Sequence, residues 1–205
     1  MGRVLSLFDR TGAWACPYRD RGDAVTCLDI TRGEDVRLAK YMTDPPDVVL
    51  AAPPCTHFSG SGARWWEAKG VNAVTEGLAL VDAVMRIVLV HQPAVWAIEN
   101  PVGRLSQWIG PPSFIFDPNE FAGWADDPAS EAYTKRTCLW GRFDIPEKKP
   151  VPPILGSIMH KLPPSDDRGA LRSVTPQGFA RAFAASNPAI ADARLNENNQ
   201  TEETR

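Results

Sequence analysis

The sequence predicts an α/β domain with a mostly parallel sheet flanked by helices, and three observations carry that prediction. Short apolar runs at 3–8, 24–28, 47–52 and 94–98 read as buried strands. Between the third and fourth runs, Val71, Val74, Leu78, Val81, Met85 and Val88 recur at three-four spacing over 71–91, and Pro93 stops this amphipathic helix. Polar or reactive residues then follow each run: Asp9 and Gly12, Asp29, Cys55, and Glu99. Parallel sheets bind ligands at the carboxyl ends of their strands, so these positions describe one shared rim.

The elements follow in order. RVLSLF (3–8) is a strand that ends in DRTGAW, a turn containing Gly12, and 13–21 make a short helix. AVTCL (24–28) is the second strand, closed by Asp29, with Asp35 and Val36 after a short loop. DVVLAA (47–52) runs into Pro53, Pro54 and Cys55. The long helix leads to AVWAI (94–98), which ends at Glu99, Asn100 and Pro101. A further strand is expected at 137–140 and a helix at 175–185, with Pro176 in its first turn. The segment 142–170 is Pro-rich and short, and the polar tail from 189 to 205 is expected to be disordered, which makes 1–188 one catalytic domain.

Composition sets bounds on function. With 205 residues, 43% hydrophobic, the chain can bury a core. Its net charge of -3 excludes a strongly basic nucleic-acid footprint while leaving room for a local basic patch. The four cysteines, Cys16, Cys27, Cys55 and Cys138, are too scattered for a disulfide framework, and no pair has zinc-ligand spacing. No apolar run reaches the ~18 residues of a membrane span. The expectation is a protein of the cytoplasm, in a bacterial or phage-infected cell, with no metal and no membrane partner.

Each candidate functional residue has an ordinary reading beside the chemical one. Cys55, in APPCTHFSGSG, is stiffened by two prolines and followed by a Ser/Gly loop, as suits a nucleophilic thiol, although a lone cysteine is more often a small apolar filler. A carboxylate after an apolar strand, as at Glu99, is costly to bury unless it is paired, for instance with Arg104, or used as a general acid. Asp29 stands about 20 residues past the glycine turn, where nucleotide-binding folds hold ribose hydroxyls, but the turn has one glycine and not the full GxGxxG. Lys135 and Arg136 are either a solvated pair or cations aimed at a base or phosphate. Arg168, Arg172 and Arg181 form a late basic cluster that reads either as a phosphate site or as a solvated face. Trp65 and Trp66 follow a flexible loop, where they are packing residues or a stacking surface.

Jointly, these segments resemble the cytosine carbon-5 DNA methyltransferase family, which uses S-adenosylmethionine. PPCTHFSGSG is similar to that family's PPCxxFSxxG loop, AIENP to its Glu-Asn-Val strand end, LFDRTGAW to its first cofactor motif, KRTCLWG to the end of its RxRxxxxG segment, and RSVTPQGFARAF to its last motif, in the same order along the chain. The resemblance implies a Rossmann-like class I methyltransferase fold, S-adenosylmethionine as cofactor and S-adenosylhomocysteine as product. By position it implies Cys55 as the nucleophile toward ring carbon 6, Glu99 as the acid at ring nitrogen 3 and Arg136 at the base carbonyl. Cofactor contacts would come from Phe8, Asp9, Gly12, Asp29, Ile30, Asp35, Val36, Pro53 and Ser173. Substrate contacts would come from Pro54, Ser59, Asn100, Lys135, Arg168 and Arg172. The family's target-recognition domain is replaced here by the segment 142–170.

That compactness leaves alternatives open. DNA is the substrate the resemblance implies, single-stranded or loosely recognised, or with recognition supplied by a partner or a second copy. A free cytosine nucleotide such as dCMP or CMP is the next reading, with Lys135, Arg168 and Arg172 on its phosphate. A catalytically silent nucleotide- or DNA-binding module is the third, and transfer of an altered one- or two-carbon group is the fourth.

Overall fold

The computed structural model describes residues 1–158 and 172–190. Its elements run β1 (Arg3–Leu7), α1 (Cys16–Asp20), β2 (Ala24–Leu28), β3 (Val48–Ala51), α2 (Trp66–His91), β4 (Val95–Pro101), α3 (Ser106–Ile109), β5 (Phe114–Phe116), β6 (Thr137–Arg142) and α4 (Gln177–Ser186), with short 3-10 turns between them. The six strands form one sheet in the order β2-β1-β3-β4-β6-β5. β1 to β4 are mutually parallel, whereas β6 is antiparallel to both β4 and β5, so β6 alone runs against the other five. This is the mostly parallel, Rossmann-like α/β arrangement that the sequence predicts.

Strand alternation divides the core into two layers. On one face, Val4, Val48, Leu50, Ala97 and Leu139 pack against Trp14 and Tyr18 near α1 and against Phe179 and Phe183 of α4. On the other, Leu5, Leu7, Val49, Ala51, Ile98, Cys138 and Trp140 pack against Val81, Val84 and Ile87 of α2 and against Phe58. β3 is buried on both faces, which explains why it reads as a continuous apolar run and not as an alternating one. Among the described residues, no helix is long and apolar enough to cross a membrane.

The strand boundaries differ from the sequence reading in ways that matter to the site. β4 does not stop at Ile98. It continues through Glu99, Asn100 and Pro101, because β6 supplies ladder partners Leu139, Cys138 and Thr137 for those three residues. β5 (FIF) was not expected, since three residues carry too little periodicity to register. α2 starts at Trp66 and not at 71, but Gly70 breaks it with φ 66 and ψ -172, so the regular helix begins where the three-four pattern does. Pro176 is the N-cap of α4, one residue before the helix.

The Pro-rich segment is tied down where it is described. Gly123 and Trp124 donate to the carbonyls of Lys149 and Glu147, Val151 donates to Asn119, and Leu155 to Ala132. An extended chain on this path loses little to its prolines, which lack an N–H to leave unpaired. Ala189, placed by sequence in the tail, packs on the first core layer. Residues 191–205 of that tail lie outside the described residues, as does Arg168.

Candidate active site

The segment after β3 delivers Cys55 to the sheet edge and fastens the chain behind it. Pro53 is buried, while Pro54 and Cys55 are exposed. Cys55 opens a 3-10 turn, and its carbonyl accepts the backbone N–H groups of Phe58 and Ser59, both at 2.9 Å. Phe58 is fully buried beneath α2, and Gly77 makes room for it: a Cβ at 77 would lie 2.6 Å from Phe58 Cζ. One turn therefore carries an anchored ring and an open thiol three residues apart.

A second set of bonds laces this loop to the chain leaving β4. Asn100 Nδ2 donates to the Pro53 carbonyl at 2.8 Å. Gly60 N–H donates to Val102, Arg104 N–H to Phe58, and Arg104 Nε to the His57 carbonyl. Ser59 and Gly103 form a bridge so close that a Cβ on Gly103 would lie 1.9 Å from Phe58 O. Arg104, a sequence candidate for pairing with Glu99, is occupied here, with its guanidinium 4.7 Å from the Trp66 ring. The loop and the strand end behave as one unit because both backbones satisfy their polar groups on each other.

Within that unit Cys55 feels the charge of Glu99. Burial pushes the Glu99 carboxyl above its usual range, against the pull of Lys135. Burial also raises the Cys55 thiol, and the Glu99 charge raises it further, while Lys135 and Arg172 lower it. The crowded surroundings of the sulfur, more than contact of the whole residue with solvent, set its acidity. Cys138, on the opposite side of β6 from Leu139, is pushed up to about 11 by burial and by Glu99, with Arg136 opposing.

Lys135 acts on both Cys55 and Glu99, and Arg136 acts on the neighbouring Cys138. Thr137 and Leu139 sit opposite Pro101 and Glu99, and the two-residue period continues back to Lys135, leaving Arg136 on the Cys138 side. Arg136 is exposed, and its backbone carbonyl accepts Val102 N–H. Lys135 Nζ donates to the Arg172 carbonyl at 2.9 Å, which brings the chain before α4 to the same rim. Counting in twos back from β6 was the sequence signal for this, but it depends on knowing the strand's register.

A cleft of about 360 Å³ opens beside the loop. Its walls include Phe8, Ile30, Asp35, Val36 and Pro54 of the expected residues, together with Thr56, His57, Glu76 and Leu80, which the sequence did not suggest for this wall. Phe8 reaches it from a left-handed backbone (φ 59) locked by its N–H bond to Leu28 O, which turns the chain sharply out of β1. Apolar Phe8, Ile30 and Val36 suit a flat ring, and the volume falls within the ordinary range for small-molecule sites.

The remaining expected cofactor residues stand outside those walls. Asp9 is buried and accepts Ser6 Oγ at 2.8 Å, Asp29 accepts Thr31 N and Oγ1, and Gly12 (φ 71) faces the Arg19 guanidinium. Asp35, which does line the cleft, is clamped by Arg37, which holds its carboxyl below the usual range. Pro53 is used as a hydrogen-bond acceptor, and Ser173 is exposed. Ser59 Oγ lies 2.8 Å from Ser61 Oγ, which Arg172 Nη2 also reaches at 3.4 Å.

No family model matches the chain. Over 160 residues it is 28% identical to the probable DNA (cytosine-5)-methyltransferase of Frog virus 3 (isolate Goorha), covering 67% of this chain and 69% of that protein. The similarity is to a protein named for cytosine carbon-5 methylation. A solved prophage-encoded protein of E. coli, named as a DNA modification methyltransferase, superposes with a TM-score of 0.43 at 17% identity. The match covers 71% of this chain and 49% of that one, so the chain spans about half the length of the solved protein. In this chain, the cysteine of the PPC loop and the glutamate of the ENP strand end share one electrostatic neighbourhood.

Proposed function

We propose that the protein is an S-adenosylmethionine-dependent methyltransferase acting on carbon 5 of cytosine in DNA through a covalent Cys55 adduct, within a single catalytic domain spanning 1–188. The observation that carries this reading is that the Glu99 charge reaches Cys55 from a different strand end, with Lys135 acting on both groups and a strand-end cleft alongside. A pure binding module needs neither a thiol nor a buried acid at that place.

The chemistry follows from the charges. The Cys55 sulfur, as thiolate, adds to ring carbon 6, and electron density moves to carbon 5 and ring nitrogen 3. Glu99, whose proton affinity burial raises, gives a proton to nitrogen 3 and offsets the charge. Lys135 takes the role that the resemblance assigned to Arg136, a cation toward the developing charge on the base. Phe8, Ile30 and Val36 would hold the aromatic part of S-adenosylmethionine, with Asp35 at its polar edge. When bound, that cofactor supplies an electrophilic methyl group. Loss of the carbon-5 proton to solvent, departure of the Cys55 sulfur as thiolate and return of the nitrogen-3 proton to Glu99 restore the aromatic ring and the free enzyme.

The test is mass spectrometry of the protein after incubation with cofactor and a 5-fluorocytosine oligonucleotide, with 5-fluoro-dCMP in parallel. A stable oligonucleotide adduct, absent in Cys55→Ser, is expected. An adduct with the mononucleotide alone would replace DNA by a free nucleotide, and no adduct with either would end the covalent reading.

A further inference from the structure

We propose that Trp65, backed by Arg64, is the stacking platform for the base that adjoins the target cytosine in a polynucleotide. This rests on the DNA reading above and makes it specific. Trp65 is 54% exposed, a large apolar area to leave in water, and it lies on the short 3-10 turn Gly60–Trp65 that follows the Cys55 loop. The Arg64 guanidinium lies 5.1 Å from the Trp65 ring centre, so a cation and an aromatic face are presented together.

The surroundings carry charge of the sign a phosphate backbone requires. Lys69 Nζ is held at the Thr56 carbonyl, Arg172 Nη2 reaches Ser61 Oγ, and Lys135 Nζ reaches the Arg172 carbonyl. With Arg64, these are four cations on or linked to the stretch 55–65 in a chain whose net charge is -3. Carboxylates in the same region include Glu99, which acts on Cys55, Glu67, two residues past Trp65, and Glu76, which faces His57 on the cleft side. An exposed indole with cations on either side is the combination that binds nucleic-acid strands by stacking and backbone attraction, without reading sequence. A mononucleotide has no second base to place there, so the platform favours a polynucleotide.

Anisotropy of a fluorescein-labelled cytosine oligonucleotide separates the outcomes, using wild type, Trp65→Leu and Trp65→Phe. Leucine keeps apolar bulk but cannot stack, so its affinity should fall by about ten- to a hundred-fold, while phenylalanine stays near wild type. Binding of S-adenosylhomocysteine should be equal in all three, which reports an intact fold. Wild-type affinity in Trp65→Leu, or equal losses in both variants, would overturn the platform and leave the DNA reading standing. Wild type that binds dCMP and no oligonucleotide would overturn both.

Discussion

Asn100 Nδ2 donates to the Pro53 carbonyl at 2.8 Å, joining the residue after Glu99 to the residue two before Cys55. Asn100 is fully buried, so this bond has no water to compete with it. It sets the spacing between two strand ends whose side chains act on the same ring in the proposed reaction. Asn100→Ala should cost about 1–3 kcal/mol, because the Pro53 carbonyl is left buried without a donor. Chemical denaturation measures that loss. The 5-fluorocytosine adduct should form more slowly in the variant even at temperatures where it is fully folded.

Gly77 is the floor on which the Cys55 loop stands. Gly77→Ala gains roughly 1 kcal/mol of helix propensity. Against that, the new Cβ falls 2.6 Å from the Phe58 ring, and forcing a packed ring aside typically costs about 1–3 kcal/mol. The collision should win: a lower melting temperature and a displaced loop are expected, with cofactor-product binding affected less than adduct formation. A more stable Gly77→Ala protein would mean that Phe58 yields easily.

Glu99 should weaken the fold it serves. Its carboxyl is raised above 4.5 by burial, so between 4.5 and the raised value the folded protein holds more protons than the unfolded one. Stability is therefore greatest below that window and falls as pH rises through it. Glu99→Gln removes the ionisation, so the variant should gain stability relative to wild type as pH is raised from 4 toward 7, and it should lose methyl transfer. Urea melts across that range give the slope, and parallel curves for the two proteins would contradict it.

Lys135 and Arg136 should separate cleanly. Lys135 lowers the Cys55 thiol, whereas Arg136 acts on Cys138. Lys135→Met should shift the pH midpoint of Cys55 alkylation upward and slow methyl transfer by about a hundred-fold, the usual effect of removing one charge-stabilising donor. Arg136→Met should leave the Cys55 midpoint in place. Alkylation followed by peptide mass spectrometry reads each cysteine separately.

The parallel strands, the long helix and the strand-end positions of Asp9, Asp29 and Cys55 were legible from residue order alone, because burial on two faces forces continuous apolar runs and a helix forces three-four spacing. The motifs likewise pointed to Cys55 and Glu99. Pairing between strands was not legible. It carried β4 on through Glu99 and admitted the three-residue β5, since a strand's extent and facing are fixed by its partner's register. The cleft walls at His57 and Glu76, and the Asn100, Arg104 and Gly103 lacing, join segments up to 47 residues apart. No local pattern encodes contacts of that kind; they exist only once the sheet has brought the strand ends side by side.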